Sequence, residues 1–159
     1  MRDLDRIAIL GGRGMLGTDL AATLRAHAIE PVIHDLPEFD LTQSDHLAHA
    51  VRDVDWVVNC AAYTNVDGAE TDQARAFAVN AEAVGQLGRM ALEANVPVLH
   101  ISTDFVFDGQ GDRPYKETDS PHPISVYGAS KWQGEQAAPV NRVKLSCKRI
   151  TQKTHCCVL

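Results

Sequence analysis

Short apolar runs alternate along this chain with longer stretches in which apolar residues recur every three or four positions. Ile7-Ala8-Ile9-Leu10 is a compact apolar run that stops at glycine, the mark of a buried strand. From Met15 to His27, Leu16, Leu20 and Leu24 fall four apart and predict a helix with one apolar face. Pro31-Val32-Ile33-His34 and Trp56-Val57-Val58-Asn59 predict two more strands. Between them Thr42 or Ser44 is expected to cap a helix reaching about Arg52, with Leu47 and Val51 turned inward. Glu70 to Ala94 is rich in alanine and poor in breakers. It predicts one long helix with Phe77, Val84, Leu87 and Met90–Ala91 as its stripe. Pro97–Ile101 predicts a fourth strand, and glycines and prolines over roughly 104–124 predict a loop. Ser125 is expected to cap a last helix that runs to about Ala138 and stops at Pro139. Repeated strand–helix alternation predicts an α/β fold, a doubly wound parallel sheet of Rossmann-like type.

Composition narrows the class. The 159 residues are 45% hydrophobic and 23% charged, ordinary for a single globular domain and unlike a disordered or disulfide-dense chain. No window approaches the roughly 18 apolar residues of a membrane span, and the opening residues do not read as a secretory signal, so a cytoplasmic protein without a membrane partner is expected. Charge is uneven. All 21 acids and ten of the fifteen Lys and Arg lie within residues 1–139, while residues 140–159 hold five basic side chains and no acid. The acidic body argues against nucleic acid as a partner. The chain therefore divides into a body, 1–139, and an atypical basic, Cys-containing tail, 140–159.

Gly11-Gly12-Arg13-Gly14-Met15-Leu16-Gly17 follows the first strand directly. Glycines there serve a turn of positive φ, bare backbone against a pyrophosphate, and a helix packed close to its strand. The helix then turns its N–H groups and positive dipole end toward the phosphates. Asp35, ending the second strand, suits a ribose 2′-hydroxyl and so NAD. Arg13 suits a 2′-phosphate and so NADP. The residues leave NADH against NADPH open. Asp40 and Leu41 follow in a loop, and their place beside the adenine is what the family resemblance given below implies.

Tyr127-Gly128-Ala129-Ser130-Lys131 places a phenol and an ammonium at i and i+4 on one helix face. A free phenol, with a pKa of about 10, is a poor acid near neutrality, and an adjacent cation favours its phenolate. Ser102-Thr103 ends the fourth strand, on the edge where open parallel sheets bind ligands. Thr103, or Ser102, is expected to hold a carbonyl oxygen that Tyr127 protonates while NAD(P)H gives hydride. Lys131 has further donors for the nicotinamide ribose.

These residues resemble the extended short-chain dehydrogenase/reductases, and within them the dTDP-4-dehydrorhamnose reductase family. The resemblance is carried by Gly11–Gly17, Asn59-Cys60-Ala61-Ala62-Tyr63-Thr64-Asn65-Val66-Asp67, Val79-Asn80-Ala81, Ser102-Thr103-Asp104-Phe105-Val106-Phe107-Asp108-Gly109 and Tyr127–Lys131, over about residues 6–138. It implies reduction of the 4-keto group of a dTDP-4-keto-6-deoxysugar, a nucleotide sugar, with Thr103, Tyr127 and Lys131 catalytic. It implies Ala61, Ala62, Tyr63, Asn80 and Ser102 along the cofactor, and Thr64, Val66, Asp67, Thr103 and Phe105 toward substrate. Where the family usually has Tyr, this chain has Phe105, one hydroxyl contact fewer. The family is about twice as long and continues into a substrate-binding lobe. Residues 140–159 do not match that continuation and read as a shifted frame, an alternative end or a truncated gene. Without a fifth strand, the fourth would be an exposed edge and the chain poorly stable. Two other readings stay open: a non-catalytic regulator like the beta subunit of methionine adenosyltransferase, and an inactive gene fragment. Oligomerisation is open too. Cys156-Cys157-Val158-Leu159 fits a prenylation signal, a short match that arises easily by chance. His155 with those cysteines has no second ligand pair spaced to close a zinc site, His46 and His49 at i and i+3 are expected to be exposed helix histidines in preference to ligands, and Cys60 reads as a packed residue.

Overall fold

The computed structural model describes residues 6–116 and 118–138, together with the backbone of Val143–Ser146. Its strands are β1 (Ile7–Leu10), β2 (Val32–His34), β3 (Trp56–Asn59), β4 (Val98–Ile101) and β5 (Val143–Ser146). All pair in parallel, in the order β2-β1-β3-β4-β5. The helices are α1 (Met15–Ala26), α2 (Ser44–Ala50), α3 (Val66–Thr71), α4 (Gln73–Phe77), α5 (Ala83–Glu93) and α6 (Val126–Ala137).

The twofold period of β1 builds two cores. Ala8 and Leu10 join Leu47 of α2, Leu87 of α5, Val57 and Val98 on one face of the sheet. Ile7 and Ile9 join Ala21 of α1 and Val58 on the other, with Leu20 and Leu24 packed against them. Each fully buried leucine contributes about 1.5–3 kcal/mol through water exclusion. Leu47 and Val51 are buried as the spacing predicts.

Three expectations are corrected. The long helix over Glu70–Ala94 is broken twice. Asp72, at φ −120° and ψ 53°, separates α3 from α4, and a π-helical turn over Ala78–Glu82 divides α4 from α5. The cap before α2 is Gln43, without a side-chain hydrogen bond. Thr42 instead donates its hydroxyl to Asp40. The fourth strand is not an edge, because β5 pairs with it from Val98↔Val143 to Ile101↔Ser146. The alternation of apolar and polar residues in Val143-Lys144-Leu145-Ser146 suits a strand, although the segment's basic composition marked it as foreign. Ser125 caps α6 as expected, its hydroxyl accepting from the Gly128 amide at 3.1 Å. Pro139, Cys147, His155 and the terminal Cys156–Leu159 motif lie outside the described residues. Among the described residues no helix is long and apolar enough to cross a membrane.

β2 lies on one side of β1 and β3 on the other, so the chain reverses its direction of travel across the sheet there. At such a switch point the loops leaving the strands part and open a crevice at their carboxyl ends.

Candidate active site

The crevice is a cleft of about 830 Å³. Its floor is the turn after β1. Gly11 sits at φ +73°, and a Cβ there would press on the backbone of Ala61, which leaves β3 alongside. Gly17 packs equally close, against the carbonyl oxygen of Gly11 and the backbone of Gly12. Both positions demand glycine for that reason. Gly14, the N-cap of α1, has no side-chain cap, and the first turn of α1 has no acid. Gly14, Met15, Leu16 and Gly17 line the cleft with that helix end, which favours an anion through its amides and dipole.

At one end of the cleft lies the carboxylate of Asp35. It accepts from the Arg13 amide at 2.7 Å and from the Leu36 amide at 2.8 Å, which fixes its direction. The Arg13 guanidinium turns to Glu38 at 2.7 Å and to the Leu36 carbonyl at 2.9 Å. Arg13 thus meets a carboxylate of its own chain in the place where it was expected to favour a 2′-phosphate. Asp40 accepts from both the amide and the hydroxyl of Thr42, which lower its pKa, and Leu41 is buried beside it. Both line the cleft, as does Arg75 of α4, which the sequence did not single out. His46 is half-buried rather than exposed. Its Nδ1 accepts from the Asp40 amide at 2.8 Å.

Cys60, Ala61, Ala62, Tyr63 and Thr64, leaving β3, form the next stretch of wall. Burial raises the Cys60 thiol to about 11, in keeping with a packed residue. Asn80, expected along the cofactor, is instead buried behind the wall. Its Oδ1 accepts from the Tyr63 amide at 2.9 Å, and its Nδ2 donates to the Tyr63 carbonyl at 3.1 Å and to the Ser130 hydroxyl at 3.0 Å. Ser130 donates in turn to the Tyr127 carbonyl at 2.8 Å. The π-helical turn therefore ties the β3 loop to α6, a use consistent with the frequency of such turns at functional sites.

Tyr127 and Lys131 of α6 reach the far end of the cleft, with Ile101 and Ser102 of the β4 end. Ser102 donates its hydroxyl to Glu135, whose pKa burial raises. It is thereby held by the protein instead of waiting for a carbonyl. Thr103 is buried; its hydroxyl donates to Asp104 at 3.2 Å and accepts from the Phe105 amide at 3.3 Å. Thr103, Phe105, Val66 and Asp67 stand beyond the residues that line the cleft. Phe105 is exposed and meets the Tyr127 ring edge-on, centroids 5.5 Å apart. Lys131, only 2% exposed, donates to the Ile101 carbonyl at 2.7 Å and lies 3.2 Å from His100 Nε2. His100 reads from sequence as one more strand residue; its partners are 31 and 41 positions away, beyond the reach of any local pattern.

A glycine turn under an uncapped helix end, an acid at one pole and a Tyr–Lys pair at the other fit a dinucleotide laid along the cleft. Comparison with known proteins points the same way. A dTDP-4-dehydrorhamnose reductase from Sinorhizobium fredii is 44% identical over 134 residues, 83% of this chain and 45% of that protein. One from Mycobacterium tuberculosis is 39% identical over 137 residues, 84% of this chain and 45% of its own. The crystal structure of a Bacillus anthracis dTDP-4-dehydrorhamnose reductase in complex with NADP superposes with a TM-score of 0.83 at 31% identity, covering 89% of this chain and 52% of that one. This chain spans about half the length of the relatives it matches. The family model for the RmlD substrate binding domain matches residues 5–151, which takes in β5 and corrects the expectation that the likeness ends near residue 138. With that match running across the whole sheet and the cleft at its edge, the chain belongs to the RmlD substrate binding domain family.

Proposed function

We propose that this chain provides the dinucleotide-binding and proton-transfer part of an NAD(P)H-dependent reductase. Its substrate is the 4-keto group of dTDP-6-deoxy-L-lyxo-4-hexulose, and its product dTDP-L-rhamnose. The observation that carries the reading is the convergence of the glycine turn, the end of β4 and one face of α6 on a single cleft. The named relatives and the NADP in the B. anthracis protein support it.

Gly11, Gly14 and Gly17 would hold the pyrophosphate, Asp35 and Asp40 the adenosine end, and Tyr63 and Lys131 the nicotinamide end. The reduced nicotinamide, when bound, supplies the hydride. Tyr127 gives its phenolic proton to the ketone oxygen, which becomes the hydroxyl of the product. Lys131, one helical turn on, favours that release as an ammonium beside the developing phenolate. Thr103 lies just beyond the cleft lining, and its hydroxyl would orient the ketone oxygen on leaving Asp104. Asn80 and Ser130 keep α6 in register with the β3 loop, so the phenol and the cofactor wall move as one body.

The test is oxidation of NADPH or NADH by the purified chain with the dTDP-4-keto-6-deoxysugar, followed by loss of nicotinamide absorbance. Tyr127→Phe should lower turnover by about 10²–10⁴-fold and leave the cofactor Kd within about threefold. Cofactor binding without keto-sugar-dependent oxidation, or full activity in Tyr127→Phe, would overturn the proposal.

A further inference from the structure

The charged side chains that line the cleft are Arg13, Asp35, Asp40, Arg75 and Lys131 among the described residues. The pyrophosphate of a dinucleotide must find its counter-charge there. The two carboxylates repel it. Arg13 gives its guanidinium to Glu38 at 2.7 Å and to the Leu36 carbonyl at 2.9 Å. Lys131 stands at the nicotinamide end, only 2% exposed, and donates to the Ile101 carbonyl. The glycine turn offers amides and a helix dipole, which amount to partial charges.

Arg75 differs from both of those cations. Its side chain is exposed at the cleft, and among the described residues its guanidinium makes no hydrogen bond or ion pair. The Asp40 carboxylate feels its charge, yet bonds to Thr42.

The place of Arg75 along the cleft follows from α4. Ala78 and Val79, three and four positions on, line the cleft with it, so one face of this helix and of the turn after it forms wall. The next residue, Asn80, bonds both the amide and the carbonyl of Tyr63. Arg75 therefore has the adenosine end, at Asp40, on one side and the Tyr63 stretch of wall on the other. The middle of an extended dinucleotide falls between those two.

We propose that Arg75 is a cofactor-binding residue: its guanidinium supplies the full positive charge for the pyrophosphate, from an element other than the glycine turn. The proposal rests on the dinucleotide reading of the cleft and names a contact that the glycine pattern does not contain. The two anchors do different work. Amides of the turn fix direction, while a planar guanidinium brings charge in a fork that meets two phosphate oxygens at once. Solvent screens an exposed side chain, so the gain in affinity is about tenfold. Because NADH and NADPH share the pyrophosphate, Arg75 helps both equally and leaves the choice between them to Asp35 and Arg13.

Fluorescence titration of the purified chain with NADH and with NADPH, and displacement of NADH by ADP-ribose and by adenosine, test this. Arg75→Gln removes the charge and keeps a polar side chain at an exposed position, so its urea midpoint should match that of the wild type. The expected result is a rise of about tenfold in Kd for NADH, NADPH and ADP-ribose alike, and of less than about twofold for adenosine. The gap between variant and wild type should close as NaCl is raised. Arg75→Lys, which keeps the charge without the fork, should fall between the two. A change below about twofold for NADH would make Arg75 a solvated surface charge and overturn the proposal. So would a loss confined to NADPH, which puts the guanidinium at a 2′-phosphate, or an equal loss for adenosine, which puts it on the adenine ring. A wild-type chain that binds neither NADH nor ADP-ribose would remove the dinucleotide reading itself, and this proposal with it.

Discussion

Gly134 stands where α6 crosses the π-helical turn, and replacing it with alanine is a demanding test of how the site is held. In an exposed helix interior the change would stabilise by about 1 kcal/mol, through lower backbone entropy in the unfolded chain and better helix propensity. Here the added methyl would press on the Asn80 carbonyl oxygen, about 1 Å inside the 3.0 Å that real Cβ atoms keep. The obstacle is backbone in a helical turn, with no flexible side chain to give way. Overpacking of this kind costs about 3 kcal/mol, the upper part of its usual range, which leaves a net loss of about 2 kcal/mol. The relief available is a shift of α6 away from Asn80, and α6 carries Tyr127 and Lys131. A displacement near 1 Å can lower turnover about 10²-fold. Urea unfolding followed by the fluorescence of Trp56 and Trp132, with cofactor titration beside it, reads both effects. Gly134→Ala that unfolds at a higher urea concentration and binds cofactor as tightly as the wild type would refute the reasoning.

Glu38→Gln removes the carboxylate that occupies the Arg13 guanidinium, and should raise the affinity for NADPH relative to NADH severalfold in paired titrations. Leu47→Ala, in the core under α2, should cost about 2–5 kcal/mol in urea unfolding and spare the cofactor Kd of the folded fraction. His100 is held neutral in the folded chain, and its unfolded pKa is about 6.5. Below that pH the unfolded ring takes a proton that the folded one refuses. Its contribution to stability is therefore present above about pH 6.5 and lost as pH falls, by at most about 1.4 kcal/mol per pH unit. His34 adds in the same direction. The difference between wild type and His100→Gln in unfolding series from pH 7 to pH 5 isolates the one imidazole.

Four strands were legible because each is an apolar run bounded by glycine, proline or a polar turn, and the glycine turn was legible because its spacing follows a strand directly. The break at Asp72 and the π-helical turn were hidden in an alanine-rich stretch with no strong breaker. In the π-helical turn Asn80 bonds Tyr63 and Ser130, partners that lie 17 and 50 positions away. β5 escaped because the basic composition of its segment outweighed a four-residue alternation. Ser102 was legible as a hydroxyl at a strand end, yet its partner Glu135 comes from a helix 33 positions on. His100 shows the same limit in its sharpest form: the character of a buried imidazole depends on what surrounds it, and its surroundings come from β3 and α6.

The most direct measurement is a crystal structure of the chain with NADH. The expected complex has the pyrophosphate over Gly11–Gly17, the adenosine ribose at Asp35 and the nicotinamide ring beside Tyr127 and Lys131. A dinucleotide bound elsewhere, or lying in the cleft with its nicotinamide at the Asp35 end, would contradict the account.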